Sequence, residues 1–446
     1  MTLEPAITST YGYIDSEKSK QLDQLNAANL FAPCELLNPL GAQHNDPDRS
    51  SMQKKFTQQM VPVKHSDPVL IGNKMEEALP YYLSNEYVVD AKLDGKVIEI
   101  SEGYVVVEYK DGTRYAIDTT HQPKKNSSAG FWVDNELKCD LKVGEKFKAG
   151  DILAYNPLHF TPVAGESRRV AMNLGVLCKV AISSQWDVFE DSAPISRNLS
   201  KKLTTEMIDE KHVTVTPFTE VSYLVKPGDK IKTGDPLIVF SEAADAEDRA
   251  LLSRTREELR EEIITSARTS INSKYTGEIA DVRVYTTSPL EDLDPSLQKI
   301  VKEYWSRVEK RNAVLDKNKN TDDLNYYKLG QIVKEVAEVV KPNGYASKVH
   351  GYQVNEGDVL FLIYVKYEVE ASKGDKVVCS VCKGICSHVF DEGMEPYSEY
   401  RPDEVIDTIV APLAVSARKV PEIFLTIFGN KVMIELKRKL KEIYEG

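Results

Sequence analysis

The amino-acid sequence predicts a mainly β protein with α-helical insertions, an α+β chain in which helices interrupt β modules. Three observations support this fold class. Short runs of β-branched and aromatic residues are bounded by Asp-Gly pairs. A turn motif with the pattern V-x-x-G-D recurs along the chain. Between about residues 241 and 342 the composition changes to polar stretches with apolar residues at helical spacing.

The bulk composition is that of a globular protein. The 446 residues are 41% hydrophobic and 28% charged, and this length predicts roughly two to four domains. A net charge of -12 argues against a chain that only coats nucleic acid, since such chains are usually basic. A local basic groove stays open, because electrostatic steering depends on where the charges lie.

The sequence predicts an intracellular protein without a membrane anchor. It contains no run of roughly eighteen apolar residues, the length expected of a transmembrane helix. Its first residues lack the basic and apolar regions of a secretory signal. Cysteines are sparse, which favours a reducing cytoplasm. They stand at positions 34, 139, 178, 379, 382 and 386.

Residues 1–37 are polar and predict a peripheral arm, after which a helix is expected over about 47–60. Asp46 suits the N-cap and Pro47 the first helical position. Arg49 shares a helical stripe with apolar residues, and an inward charge needs a partner. One interpretation is a salt bridge to a core carboxylate, and the other is a pocket in which helix amides and Arg49 meet a phosphate. Residue chemistry alone leaves both open.

The next region reads as strands. Asp94-Gly95 and Asp111-Gly112 are expected to form hairpin turns between them, and residues 118–135 are expected to form an irregular loop. The predicted strands cover residues 87–92, 96–100 and 104–109.

A Gly-Asp turn motif occurs at residues 143–153 and again at residues 225–237, with partial copies at 354–360 and 373–376. Glycine supplies a positive φ in such a turn, and aspartate caps it. These turns are typical of biotinyl- and lipoyl-type barrels and of sandwich-barrel hybrids. The Met-Lys-Met and Asp-Lys-Ala tripeptides of carrier modules are absent, which disfavours a carrier.

Residues 241–342 predict an antiparallel helical hairpin that projects from a β body as a solvated stalk. Ser241–Asn272 is expected to be helical and Gly277–Tyr285 a short strand. Asp294 then caps a long helix, and a second helix ends at Pro342-Asn343-Gly344. The apolar positions expected to face inward on the long helix are Leu297, Ile300, Val301, Tyr304, Val308 and Leu315.

Strand patterning returns at residues 359–369, and a basic amphipathic helix is expected over about 421–444. We expect folding to bring Glu190 and Asp191 together with Lys376 into one centre that handles polyanions. The chain between them would then be an insertion.

A cysteine-rich segment carries four candidate zinc ligands, Cys379, Cys382, Cys386 and His388. All four lie within ten residues, whereas structural zinc sites place two ligand pairs further apart. The favoured interpretation is therefore a tight loop of small residues that carries Lys376 and Lys383. The whole chain contains no Walker-A, G-x-S-x-G or H-E-x-x-H motif.

Five motifs, in order along the chain, resemble the β subunit of multi-subunit DNA-directed RNA polymerases. Residues 44–76 resemble H-D-D-A-N-R-A-L-M, Q-A-V-P and V-G-T-G-M-E, and residues 186–192 resemble Y-N-F-E-D-S. Residues 277–285 resemble G-x-V-x-D-V-x-V-F, residues 374–384 resemble G-D-K-M-A-G-R-H-G-N-K-G, and residues 411–418 resemble N-P-L-G-V-P-S-R. Ser380-Val381 and Ala414 depart from the family pattern, and one residue is missing before Lys383.

The resemblance implies a double-psi β-barrel with sandwich-barrel-hybrid modules, interrupted by a helical flap-like insertion. It implies that Lys376 and Lys383 contact the RNA 3′ end, and that Arg418, Arg49 and Gln59 bind the incoming triphosphate. Glu190 and Asp191 would orient water on Mg²⁺ rather than bind it directly. The chain has no Asp-x-Asp-x-Asp cluster, so the Mg²⁺ would be held mainly by a partner β′-like subunit.

The resemblance covers residues 38–420 but only the middle-to-late part of a full β subunit. This resembles the C-terminal fragment of a split β subunit, as in the polymerases of jumbo bacteriophages. The implied divisions are an arm (1–37), an active-site helix with a β-rich module (38–165) and the first half of the barrel (166–215). A flap-like region (216–358), the second half of the barrel with its lysine loop (359–420) and a basic helix (421–446) follow.

The implied function is part of a DNA-dependent RNA polymerase that is active only as a multi-subunit complex. Expected partners are β N-terminal-like and β′-like subunits, DNA template, RNA transcript and NTPs, with a promoter-specificity subunit as a further candidate. The expected location is the cytoplasm of a bacterial host, and packaging of the enzyme in the virion is the alternative. The competing hypothesis is a non-catalytic β-barrel scaffold or a biotinyl- or lipoyl-type carrier module.

Overall fold

The structure is a computed structural model. It describes residues 35–37, 60–101, 103–121, 123–125, 132–166, 168–185, 188–241, 268–318, 347–349, 351–355, 357–379 and 382–445. The predicted helix over 47–60, the second helix of the predicted hairpin, Arg49 and Gln59 lie outside these residues. The family motif that begins at His44 lies largely outside them as well.

The described part of the chain is mainly β, as predicted. Its strands are β1 Val88–Asp90, β2 Gly95–Ser101, β3 Tyr104–Tyr109, β4 Arg114–Asp118, β5 Lys124–Lys125, β6 Trp132–Val133, β7 Lys146–Phe147, β8 Ile152–Tyr155, β9 Phe160–Pro162, β10 Val170–Met172, β11 Val180–Ile182, β12 Thr205–Val215, β13 Glu220–Leu224, β14 Lys230–Ile231, β15 Pro236–Ser241, β16 Arg268–Asn272, β17 Gly277–Thr286, β18 Ser347–Val349, β19 Tyr352–Val354, β20 Val359–Val369, β21 Lys376–Cys379, β22 Cys382–Ile385, β23 Tyr397–Ser398, β24 Arg401–Val405 and β25 Thr408–Val410. Its α-helices are α1 Met75–Ala78, α2 Arg197–Lys202, α3 Pro295–Lys317, α4 Pro412–Ser416 and α5 Glu422–Glu445, and its 3-10 turns are Glu35–Leu37, Leu79–Tyr82 and Leu290–Asp292.

Strand β20 is the centre of a six-stranded sheet with the order β14-β17-β20-β12-β6-β5. It pairs along its full length with β12, from Val359 opposite Val215 to Val369 opposite Thr205. Alternate side chains enter different cores: Phe361 and Ile363 join one, and Leu362 joins the other. Because both faces are covered, the strand is apolar without alternation, as buried central strands are.

Helix α3 joins two β modules and is not a solvated stalk. Asp294 caps it by accepting a hydrogen bond from the Ser296 amide at 2.9 Å, as predicted. Leu297 and Val301 are fully buried in the core beneath the six-stranded sheet. Leu315, near the other end, packs against Tyr104 of β3 in a separate core. The helical spacing of these residues predicted the buried face correctly, but the stalk interpretation was wrong because a second sheet covers the far end.

The Gly-Asp turns form as the motif predicts. The central glycines have φ between +83° and +97°, the region that side chains with a Cβ disfavour. In each turn the carboxylate accepts a hydrogen bond from the amide three residues earlier. The carboxylates are those of Glu145, Asp151, Asp229, Asp235, Asp358 and Asp375, at 2.7 to 3.2 Å.

Two local predictions in the β-rich module are wrong. Asp94-Gly95 is not a hairpin turn, because β1 pairs with the distant β8 and not with β2. Asp111-Gly112 does form a hairpin turn, between β3 and β4. The predicted loop over residues 118–135 contains β5 and β6, which pair with each other, and β6 pairs with β12.

Further along the chain, Ser241 ends β15 and Arg268–Asn272 forms β16, so the helix predicted over 241–272 is wrong at both ends. Its middle lies outside the described residues. The C-terminal helix is confirmed as α5. None of the described helices has both the length and the apolar character needed to cross a membrane. The domain boundaries stay predictions.

Candidate active site

Three segments that are distant in the sequence meet at one place: residues 190–193, the hairpin formed by β21 and β22, and Arg418. The Ile385 amide donates to the Asp191 carbonyl at 2.8 Å, and the Ala193 amide donates to the Ile385 carbonyl at 2.9 Å. Ser192 and Ile385 form a parallel bridge. The segment that carries Glu190 and Asp191 therefore lies along the lysine hairpin, as we expected from the sequence.

Both lysines of the hairpin are on its exposed face. In the antiparallel register Lys376 is opposite Ile385, and Val378 is opposite Lys383. Side chains alternate between faces along a strand, so these four share one face, and all four are exposed. The other face is turned inward: Cys382 is 4% exposed and belongs to a hydrophobic core.

Arg418 links the three segments. Its guanidinium forms an ion pair with the Asp191 carboxylate, and its Nη1 atom donates to the Lys383 carbonyl at 3.4 Å. The Arg418 side chain is 19% exposed, whereas that of Asp191 is 47% exposed. A half-buried guanidinium held by two acceptors has a fixed direction, which suits a group that binds phosphate in two-point fashion.

A close packing of backbones allows this arrangement. A Cβ added to Gly384 would lie 2.9 Å from the Asp191 carbonyl oxygen and 3.2 Å from the Ala193 Cβ. Only glycine lets the 191–193 segment approach β22 this closely. The turn before β21 is fixed by Asp375, whose carboxylate accepts from the Ser372 amide at 2.7 Å.

Glu190 has the left-handed backbone conformation, with φ of 50°. This conformation costs about 1 kcal/mol or more for a residue with a Cβ. The turn is held by two hydrogen bonds: the Phe189 amide donates to Ser192 Oγ at 2.6 Å, and the Ser192 amide donates to the Phe189 carbonyl at 3.0 Å. The result is an exposed carboxylate next to the Asp191–Arg418 pair.

The charges of the five predicted residues in the described part favour an anion. Lys376, Lys383 and Arg418 contribute three positive charges, and Glu190 and Asp191 contribute two negative charges, which leaves one positive charge. The lysines are on the solvent side, so an extended anion would reach them without entering the core.

A cavity of about 1400 Å³ adjoins the hairpin. Its walls include Lys376 and Asp191 on one side and Ile423 and Ile427 of α5 on another. Apolar side chains cover most of the remaining wall, which does not suit a triphosphate. Both lysines and Asp191 also line this cavity, so phosphate contacts are expected at these charged residues and not against the apolar wall.

The cysteine-rich segment does not gather metal ligands in the described residues. Cys382 packs with Val410 and Val415, whereas Cys386 packs with Ile195 and Leu199. Burial raises the pKa of the Cys379 thiol well above its ordinary range. The loop interpretation of this segment fits better than the zinc interpretation.

One anchor of this site, Asp407, was not predicted from the sequence. Asp407 is 3% exposed, and its carboxylate accepts from the Lys179 amide at 2.9 Å and from Ser196 Oγ at 3.0 Å. It fixes the start of β25, which pairs in parallel with β11. An Asp just before Thr-Ile-Val could have suggested this role, because a polar residue at the start of a buried strand needs partners.

Arg418 is also held from its C-terminal side. Lys419, the next residue, has φ of 51°, and α5 begins three residues later. Ion pairs fix α5 to the β23–β24 hairpin, with Arg401 contacting Glu435 at 2.6 Å and Arg438 contacting Glu404.

Comparison with known proteins agrees with the motif resemblance. No family model matches the chain. In an alignment of 305 residues that covers 61% of this chain, the sequence is 26% identical to the DNA-directed RNA polymerase subunit beta of Alkaliphilus metalliredigens (strain QYMF). The matched part is 23% of that relative, so the chain spans about a quarter of the curated protein it matches. The similarity agrees with a distant relationship to the β-subunit family.

Proposed function

We propose that this chain is part of the β-like subunit of a multi-subunit DNA-dependent RNA polymerase and contributes contacts to the NTP triphosphate and to the RNA 3′ end. The observation that carries the proposal is the meeting of Asp191, Arg418 and the lysine hairpin, which the Asp191–Arg418 ion pair and the Arg418–Lys383 hydrogen bond join. The similarity to a bacterial β subunit supports it independently.

The lysine hairpin would contact the RNA. Nucleotidyl transfer spreads negative charge over phosphate oxygens in its transition state, and positioned cations stabilise that charge. Lys376 and Lys383 share one face of a two-stranded hairpin whose other face is buried. They would follow the RNA backbone and its 3′ end, because ammonium groups on long exposed side chains adapt to successive phosphates.

Arg418 would bind the triphosphate. Without substrate its guanidinium is occupied by Asp191, which neutralises the charge and keeps the side chain oriented. A triphosphate carries more charge than one carboxylate and would compete for the same donors. Arg49 and Gln59, which lie outside the described residues, are proposed to contact the same phosphates.

The residues of this site do not fit a complete Mg²⁺ site. Asp191 is engaged with Arg418, and Glu190 is a single exposed carboxylate, whereas Mg²⁺ prefers several oxygen ligands in octahedral geometry. We therefore propose that a partner β′-like subunit mainly holds the ion, which would supply charge stabilisation to the transferring phosphoryl group. Glu190 and Asp191 would act on it through water.

Residues 166–215 and 359–420 are proposed to form the two halves of a double-psi β-barrel. Contacts between the halves support this: β11 pairs in parallel with β25, and Ile195 bridges to both Val389 and Thr408. The flap-like region would be residues 216–358, with sandwich-barrel-hybrid turns at Gly228 and Gly234 and with α3 as its support.

The proposed partners are β N-terminal-like and β′-like subunits, a promoter-specificity subunit, DNA template, RNA transcript and NTPs. We further propose that this chain is a separate subunit, the C-terminal fragment of a split β subunit as in jumbo bacteriophages. Its proposed location is the host cytoplasm or the virion. Native purification of the polymerase tests the split. This sequence is expected on a polypeptide separate from the β N-terminal-like subunit, and its presence only on one polypeptide together with that subunit would contradict the split.

Reconstitution tests the function itself. Complexes assembled with this chain should extend an RNA primer on a DNA template, and the chain alone should not. Template-directed synthesis by the chain alone would contradict the proposal. So would a chain that stays monomeric beside its candidate partners and carries biotin or lipoate, as the carrier hypothesis requires.

A further inference from the structure

A second cluster of chemically reactive side chains lies where two sheets meet. His121 follows β4 of the four-stranded sheet, and Asp134 and Glu136 follow β6 of the six-stranded sheet. None of the three lines the cavity that adjoins the lysine hairpin, so the cluster is separate from the candidate active site.

The three side chains bring their ligand atoms together. One imidazole nitrogen and one oxygen from each carboxylate lie within 4.8 Å of one another. In the part of the chain that the structure describes, no other group of three or more His, Cys, Asp or Glu residues does so. A tetrahedral cation with ligand distances of about 2.0 to 2.2 Å needs its ligand atoms within such a range.

A buried atom without a hydrogen bond points into the cluster. Asp134 is 6% exposed, and its Oδ1 atom contacts the Nδ1 atom of His121. Neither atom has a hydrogen-bond partner of acceptable geometry among the described residues. Buried polar atoms are almost always paired. An imidazole nitrogen and a carboxylate oxygen that meet without hydrogen-bond geometry are arranged as ligands of a common cation would be.

The local charge also favours a cation. Lys366 Nζ lies 3.8 Å from the other Asp134 oxygen, Oδ2, so the lysine does not occupy the atom that faces His121. Asp134 and Glu136 carry two negative charges and Lys366 offsets one of them, so the remaining negative charge favours a cation.

We propose that His121, Asp134 and Glu136 form a binding site for one divalent cation of the Zn²⁺ class. An imidazole with two carboxylates is a ligand set for Zn²⁺ and its first-row neighbours, whereas Mg²⁺ and Ca²⁺ prefer oxygen alone. Glu136 is exposed, so the site opens to solvent and a cation can enter there. The bound ion joins the end of β4 to the end of β6 and so ties the two sheets together. The proposal does not depend on the polymerase function.

The test uses the full-length chain, stripped with a chelator and titrated with Zn²⁺ alone. We expect one equivalent to bind and to raise the melting temperature. The variants Glu136→Gln and His121→Gln should each weaken this binding at least about tenfold, since each removes a ligand. Glu136→Gln is the safer variant, because an exposed side chain contributes little to folding.

Asp140→Asn is the matched control. Asp140 is an exposed carboxylate nearby that contacts Lys138 at 3.1 Å, and its loss should leave Zn²⁺ affinity unchanged. A Co²⁺ spectrum identifies the ligands, and at this site it should lack the thiolate charge-transfer band. Unchanged affinity in both ligand variants, a thiolate band that disappears in Cys382→Ser, or no binding at micromolar Zn²⁺ would each overturn the proposal.

Discussion

Arg418 and Asp191 form an ion pair across 227 residues of sequence. The same guanidinium also donates to the backbone carbonyl of Lys383. One side chain thus ties the 190–193 segment, the lysine hairpin and the start of α5 into one structure. The geometry of the proposed phosphate contacts depends on this link, because the lysines themselves are exposed and have no comparable anchor.

Gly384→Ala should disturb the site through the backbone. The new methyl group would lie 2.9 Å from the Asp191 carbonyl oxygen, so the 191–193 segment must move away from β22. We expect a loss of about 2 kcal/mol of stability, as for overpacking, and slower elongation by the assembled enzyme. Urea unfolding and primer extension measure the two effects.

Gly393→Ala is the control for that substitution. Gly393 has φ of 85° and no atom near its would-be Cβ, so alanine there adds backbone strain alone. It should lower stability by about 1 kcal/mol and leave elongation intact. Equal effects of the two substitutions on elongation would contradict the role given to the close packing at Gly384.

Lys74→Gly should stabilise the protein. Lys74 has φ of 74° and occupies the position where the family pattern V-G-T-G-M-E has its second glycine. Removing the Cβ relieves strain of about 1 kcal/mol, whereas the lost ion pair with Glu77 involves a 79% exposed side chain and contributes little. Lys92→Gly, an ion-paired lysine without positive φ, should not stabilise. Thermal unfolding of both variants tests this: the melting temperature should rise in Lys74→Gly and not in Lys92→Gly.

Asp407→Ala should be strongly destabilising. It removes a buried carboxylate and leaves the Lys179 amide and the Ser196 hydroxyl without this acceptor. We expect a loss of roughly 2–4 kcal/mol, typical when buried donors lose a charged partner. Asp403→Ala, at an exposed position four residues earlier, should change stability by less than about 0.5 kcal/mol. A small effect at both positions would show that Asp407 does not anchor β25.

Acidification should weaken the fold through His159. Burial lowers the pKa of His159 to about 4, below its ordinary value. The unfolded chain therefore binds a proton that the folded chain does not, and stability present above pH 6.5 is lost as pH falls towards 4. The loss should reach about 2 kcal/mol, allowing for partial exposure. His159→Gln should flatten this part of the stability profile, and His65→Gln, at an exposed position, should not.

Local chemistry was predictable from the sequence, and long-range pairing was not. The Gly-Asp motif predicted both the positive φ of Gly228 and the capping by Asp229, because both depend on adjacent residues. The pairing of Val88 with Tyr155 was missed. A hairpin with β2 satisfied the same local rules, and only tertiary packing selects β8.

The candidate site was predictable from the resemblance and only partly from its residues. The resemblance placed Asp191, Lys383 and Arg418 in one site, and the structure brings these three into contact. Helical spacing identified the buried face of α3 but not the second sheet that covers Leu315. The cluster of His121 and Asp134 was not predicted, because its members come from two sheets whose meeting is not encoded in any local pattern.

Primer extension by the assembled enzyme tests the central claim most directly. Lys376→Ala and Arg418→Ala should leave the subunits assembled and should slow elongation by roughly 10²-fold, the usual effect of removing a group that stabilises transition-state charge. Lys373→Ala, an exposed lysine in the preceding turn, should elongate normally. Normal elongation by both site variants would contradict the proposed function of this site.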